Sequence, residues 1–211
     1  MTSREAILGS VRKALGRSEA QPPAPVPPAR IRIPEVPLEA RIEQFFCALE
    51  RLAGKTLLAG GPEDARNYIA ALIGEKPAVA SNASFLSTCG ITSLPSVRTN
   101  FTDRDALRQA CASAGFGITS ADYALADTGS LVMLASPEEA RLVSLLPPVH
   151  VAVVPRDRIL TGLDELFSIL PDPGAASSSM VLITGPSRTA DIEQILVRGV
   201  HGPGEIHVVV V

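Results

Sequence analysis

Apolar positions along this chain follow two alternating patterns. Ile7, Leu8, Val11 and Leu15 recur three or four residues apart, which predicts an amphipathic helix over 2–16, with Thr2 or Ser3 available as its cap. From residue 38 onward the same spacing predicts helices over 38–52, 63–73, 103–112, 138–146 and 159–170. Between them lie short, nearly unbroken apolar runs at 55–59, 77–80, 149–154, 179–184 and 206–211. Runs such as HVAVV and IHVVVV are what strands need when a sheet is covered on both faces. Residues 117–136 hold two further extended runs around the turn Asp127-Thr128-Gly129. Strands alternating with helices predict an α/β fold, a Rossmann-like and mostly parallel sheet with helices on both faces.

The pattern breaks between the first helix and the rest. Residues 21–37, QPPAPVPPARIRIPEVP, are rich in proline and cannot hold a helix, so an extended linker is expected. The organisation read from this is an amphipathic helix over 1–17, a Pro-rich linker over 18–37 and an α/β domain over 38–211. A lone short helix is marginal in water. The tethered helix is therefore expected to dock on its own domain, on a partner, or on a second copy, which allows a homo-oligomer.

Composition narrows the function. The chain has 211 residues, 46% of them hydrophobic, and no Trp, so its core must be aliphatic. Its 19 Lys and Arg against 22 Asp and Glu, without a basic cluster, exclude an evident nucleic-acid surface. Cys47, Cys89 and Cys111 form no CxxC pair. That argues against a disulfide framework and against an iron–sulfur cluster held by this chain alone, which needs about four thiolates. No apolar run reaches the ~18–20 residues of a bilayer span, and charges interrupt the N-terminal apolar positions where a signal peptide would need a continuous run. A cytoplasmic protein without a transmembrane segment is expected. His150, His201 and His207 show neither HxH nor HExxH spacing, so no metal site is expected.

Three stretches carry candidate chemistry. The first is 185–203, GPSRTADIEQILVRGVHGP, read as a turn, a helix opened by Pro186 and Ser187, and an exit at Gly199 and Gly202. A helix start beside Arg188 suits a small anion. Ser187, Asp191 and His201 also invite a hydrolase-triad reading. It is set aside because Ser187 lacks the G-x-S-x-G elbow and a helix of roughly 15 Å would hold Ser187 and His201 apart. The second is Asp127-Thr128-Gly129-Ser130, either an anion cradle or a plain hairpin turn. The third pairs Arg141, a carboxylate clamp, with His150, an acid/base group; a local ion pair and a strand-end role are the alternatives. Glu138, Glu139, Glu63 and Asp64 read as helix-start charges, and His207 as a packing residue. In a parallel sheet ligands bind beyond the carboxyl ends of strands. That predicts one crevice formed by Gly60-Gly61, Ser81-Asn82, Thr128 to Ser130 and 185–189.

Taken in order, ADYALADTGSLVML, EARLVSLLPPVHVAVVP and GPSRTADIEQILVRGVHGP resemble the LUD-domain family of lactate utilization proteins. The resemblance covers 38–211 and is strongest from Ala121 on. It implies a fold similar to the sugar-phosphate isomerase and CoA-transferase superfamily. It also implies a role in L-lactate utilization, the oxidation of lactate to pyruvate beside separate iron–sulfur subunits. The clusters would sit in those partners, with no cofactor in this chain. The resemblance transfers no catalytic residues. The ligand-binding candidates matched by motif are Asp127, Thr128, Gly129, Ser130, Arg141, His150, Ser187, Arg188, Thr189, Asp191, Glu193 and His201, around a small carboxylate or other anion. Two other readings stand beside it. One is an enzyme in its own right acting on a phosphosugar or CoA ester, with Glu193 or Asp191 as nucleophile. The other is a non-catalytic assembly subunit that uses the N-terminal helix as a docking arm.

Overall fold

A computed structural model describes residues 3–16, 33–190 and 196–211. The chain divides into a unit of residues 1–31 and a unit of residues 32–211. The first contains helix α1 (Ser3–Ala14), in which Glu5 lies in the first turn and Arg12 and Lys13 in the last, each placed to suit the helix dipole. Most of the Pro-rich linker, residues 17–32, lies outside the described residues.

The second unit runs α2 (Leu38–Arg51), β1 (Lys55–Leu58), α3 (Pro62–Ile73), β2 (Ala78–Ala80), α4 (Ser84–Thr88), β3 (Val97–Arg98), α5 (Arg104–Ser113), β4 (Phe116–Ser120), β5 (Tyr123–Leu125), β6 (Ser130–Leu134), α6 (Arg141–Leu145), β7 (Val149–Val154), β8 (Ile159–Leu160), α7 (Leu163–Ile169), β9 (Met180–Ile183), β10 (Arg188–Ala190), β11 (Leu196–Arg198) and β12 (Glu205–Val210). Six of the strands form a wholly parallel sheet in the order β1-β12-β7-β4-β2-β3. A second sheet, β8-β5-β6-β9, is mixed, with antiparallel pairing on both sides of β6.

The valine-rich strands are apolar throughout because both of their faces are covered. Val151, Val153 and Val209 pack with Ile69 of α3 and Leu86 of α4. Ala152, Val154, Val208 and Val210 point the other way, onto Phe45 and Leu49 of α2 and Leu131 and Met133 of the second sheet. Each fully buried Val, Ile or Leu contributes about 1.5–3 kcal/mol of transfer free energy. Cys89 and Cys111 are buried, and burial raises the pKa of both thiols; Cys47 is exposed.

Four expectations from the sequence need correction. The helix expected over 185–203 is replaced in the described residues by an antiparallel pair, β10 with β11, in which Thr189 faces Val197. A short run rich in β-branched residues does not distinguish helix from strand by spacing, and here strand pairing prevails. The helix expected to start at Glu138 starts at Arg141, because the Ser136 hydroxyl accepts the amides of Glu138 (3.2 Å) and Glu139 (3.0 Å) and holds them in a turn. The helix expected from residue 159 is a two-residue strand on β5 followed by α7, which begins after Gly162. The extended region 117–136 contains three strands, split between the two sheets.

Candidate functional site

His150 and Ile206 are register partners, each the second residue of its strand, near the amino ends of β7 and β12. Beside them a cleft of about 240 Å³ is lined by His150, Ile206, the end of β9 (Val181 to Ile183), Thr184, Ser187 and His201, with Ser144 and Leu145 of α6. The His150 ring is buried, with 1% of its surface exposed. Its Nε2 lies 2.8 Å from Thr119 Oγ1, while its Nδ1 has no hydrogen-bond partner in the protein. Burial pulls its pKa down to about 4, so the ring is neutral near pH 7. One ring nitrogen is thus committed to Thr119, and the other has no partner in the protein. A buried polar atom without a partner is costly, and few occur in a folded protein.

The rest of the wall combines apolar and hydroxyl groups. Thr184 Oγ1 lies 2.7 Å from Ser130 Oγ, which donates to Thr128 Oγ1 at 2.8 Å. Two residues of the Asp127 to Ser130 turn therefore connect to the cleft through Thr184. Ser187 is fixed through its backbone: its amide donates to Pro203 O at 2.8 Å, and its carbonyl accepts the Gly199 amide at 3.1 Å. These bonds fold the end of the β10–β11 hairpin back, so that Ser187 and His201 line one cleft. Their expected separation along a helix is therefore overturned. Gly185, at the cleft wall, lets the chain pass close to Leu52. Its φ is +80°, and a Cβ there would lie 2.9 Å from Leu52 Cβ.

The remaining candidates are placed elsewhere. Gly129 has φ +65°, and a Cβ on it would lie 2.5 Å from Leu49 N, so this glycine is required by packing against α2. The Gly129 amide donates to Leu125 O, and the Asp127 amide donates to Thr161 O. Neither is free to cradle an anion. Asp127 itself lines a different hollow, with Gln44, Thr161 and Gly162. Arg141 donates to Ser179 Oγ at 3.2 Å, and Arg188 donates to the Leu52 carbonyl; neither lines the His150 cleft. The side chain of Thr189, and Asp191 and Glu193 entirely, lie outside the described residues. His207 bridges Tyr68 Oη (2.7 Å) and Glu205 Oε1 (2.7 Å) as a buried structural link. Among the described residues no three His, Cys, Asp or Glu side chains are grouped to hold a metal ion.

The single crevice expected from the topology is instead two regions on opposite edges of the sheet. Gly60-Gly61 and Ser81-Asn82 follow the carboxyl ends of β1 and β2. His150 sits at the amino-end edge. On the carboxyl-end side the structure places a residue that the sequence pattern assigned to a helix start. Glu139 is 7% exposed and accepts the Ser120 amide on Oε1 at 3.0 Å. Burial pushes its pKa up to about 8, against the opposing pull of the nearby Ser81 hydroxyl and the Ser120 amide, with the Asp122 charge adding to the rise. The signal for it was the position of ASPEEA, which brings an acid close behind an apolar strand.

Comparison with known proteins adds the family. The LUD domain family model matches residues 42–211. Lactate utilization protein C of Bacillus licheniformis is 36% identical over 107 residues, 49% of this chain and 45% of that protein. The protein of the same name from Halalkalibacterium halodurans is 38% identical over 106 residues, 48% of this chain and 46% of that one. The matched stretch thus spans less than half the length of either relative. The crystal structure of a DUF162 family protein from Deinococcus radiodurans superposes with a TM-score of 0.63, covering 83% of this chain and 99% of that one at 17% identity. That likeness is one of fold. No described helix is long and apolar enough to cross a membrane.

Proposed function

The chain belongs to the LUD domain family, and from that premise we propose that it serves in lactate utilization by binding a small hydroxy- or keto-carboxylate in the His150 cleft. The observation that carries the reading is His150: buried, neutral, and with Nδ1 unpartnered at a cleft wall. A 2-hydroxy acid fits the chemistry around it. Its hydroxyl meets the free ring nitrogen, its methyl group lies on Val181, Ile183 and Ile206, and its carboxylate accepts from the Thr184 and Ser187 hydroxyls and the His201 ring. Neutrality of His150 matters, because a protonated ring would offer no acceptor to the hydroxyl.

Oxidation of lactate to pyruvate releases two electrons and two protons. In this proposal the electrons pass to iron–sulfur clusters in separate partner subunits, and this chain binds and orients the acid. Three dispersed cysteines support that division, since a cluster needs about four thiolates. The apolar stripe of Ile7, Leu8 and Val11 on α1, continued by Leu15 just after it, is exposed and supports a docking arm.

The test is a thermal-shift series with L-lactate, pyruvate, ribose 5-phosphate and CoA on the wild-type chain and on His150→Gln. Stabilisation by lactate or pyruvate that disappears in His150→Gln is expected. A response only to the phosphosugar or to CoA would sink the reading, as would a lactate response that the substitution leaves intact. Deletion of residues 1–20 should abolish co-purification with the iron–sulfur subunits; full retention would remove the arm from the account.

A further inference from the structure

The carboxyl-end edge of the parallel sheet carries a second cleft, of about 390 Å³, that the carboxylate-binding reading does not use. Asn82 and Phe85 form one side of it, Ser120 and Asp122 another, and Glu138 and Glu139 a third. Ser81, the first residue after β2, is buried immediately beside Asn82.

Two features separate this cleft from an ordinary acidic surface. Glu139 Oε2 and Ser81 Oγ are both buried, and neither meets hydrogen-bond geometry with a partner in the protein, although the Ser81 hydroxyl is near enough to act on the Glu139 charge. The other oxygen of the carboxyl group is anchored by the Ser120 amide at 3.0 Å, so the orientation of the group is set. Asp122 is likewise anchored, with Oδ2 accepting the Leu134 amide at 2.7 Å. Glu139 and Asp122, which both line the cleft, thus hold fixed carboxyl groups, and Glu139 keeps a buried oxygen with no bond of good geometry.

The lining indicates the chemistry that would satisfy them. It holds three carboxyl side chains and no Lys, Arg or His, which disfavours an anion. The carboxyl groups are not grouped closely enough to chelate a metal ion. Phe85 adds a half-buried aromatic ring, whose face attracts a cation. An organic ammonium fits: its N–H donors reach separate acceptors, and its carbon chain spans the distance between them.

We propose that this cleft is a binding site for a small organic ammonium ion, with the carboxyl groups of Glu139 and Asp122 as its acceptors. Binding is coupled to a proton. The groups near Glu139 are Ser81 after β2, Ser120 at the end of β4, Asp122 beyond it, and Glu138 on its own loop; the Arg158 charge acts on Asp122. With this set, Glu139 holds its proton near pH 7 and gives it up when a cation arrives.

The test is isothermal titration with putrescine at pH 7.0 in two buffers of different ionisation enthalpy, with 1,4-butanediol, K⁺ and Mg²⁺ as comparisons. Expected are saturable binding of putrescine, release of close to one proton per site, and affinity rising several-fold from pH 6 to pH 8. In Glu139→Gln the proton release should vanish and the affinity fall at least tenfold. No putrescine binding, binding without proton release in the wild type, equal binding of butanediol, or saturation by Mg²⁺ alone would each overturn the proposal. The lactate response of the wild-type chain is read separately, so failure here leaves the His150 reading standing, and the reverse.

Discussion

Replacing His150 by Gln removes one titrating group from the core while leaving a side chain able to bond Thr119. The wild-type ring has its folded-state pKa pulled down to about 4, against 6.5 for an unburied histidine. The folded state therefore resists protonation, and the unfolded state does not. Stability from this group is intact above pH 6.5 and is lost as the pH falls toward 4. Moving the midpoint from 6.5 to about 4 makes the loss about 3 kcal/mol between pH 7 and pH 4. Other groups titrate over the same range, so the quantity to read is the difference between the two proteins. Urea unfolding at pH 7.0, 5.5 and 4.0 should show the wild type losing about 3 kcal/mol more than His150→Gln over that interval. Parallel pH profiles for the two proteins would refute the claim that a buried neutral imidazole stands at the cleft.

Glu139 works in the opposite sense: its folded pKa is raised to about 8, so its contribution is full below pH 4.5 and lost as the pH rises. Wild type should lose about 4 kcal/mol from this group between pH 4 and pH 8, a loss that urea unfolding of Glu139→Gln would lack. Gly129→Ala puts a Cβ 2.5 Å from Leu49 N at a φ of +65°, where neither backbone can yield cheaply. It should cost at least about 2–3 kcal/mol, seen as a Tm lower by roughly 5–10 °C; an unchanged Tm would remove the packing role of this glycine. Tyr68→Phe deletes the hydroxyl on His207 Nδ1 and should cost about 1 kcal/mol in urea unfolding while leaving the lactate response unaltered.

The sheet was legible because its strands obey a simple rule. Stretches such as HVAVV and IHVVVV are apolar at every position, and the structure buries them on both faces. The segment 185–203 was misread for a related reason. It lacks that continuous apolarity, and its spacing suits a helix and a strand equally, so the pairing of Thr189 with Val197 was not visible locally. That misreading also hid the approach of His201 to Ser187, which depends on backbone bonds from Ser187 to Pro203 and Gly199. His150 was identified as a candidate from its residue type and position. Its buried, unpartnered state depends on Thr119, 31 residues away. Glu139 looked like a helix-start charge from its spacing, but Ser136 bonds its amide and keeps it out of the helix, a contact that residue spacing did not reveal.

The central claim is that His150 offers a free ring nitrogen to a small hydroxy acid. Titration of L-lactate into ¹⁵N-histidine-labelled protein at pH 7, followed through the imidazole nitrogens, tests it most directly. The account predicts that His150 reports a neutral ring and that its Nδ1 resonance moves saturably with lactate, while His207, held between Tyr68 and Glu205, stays in place. A His150 ring already protonated at pH 7, or an Nδ1 unmoved at saturating lactate, would contradict it.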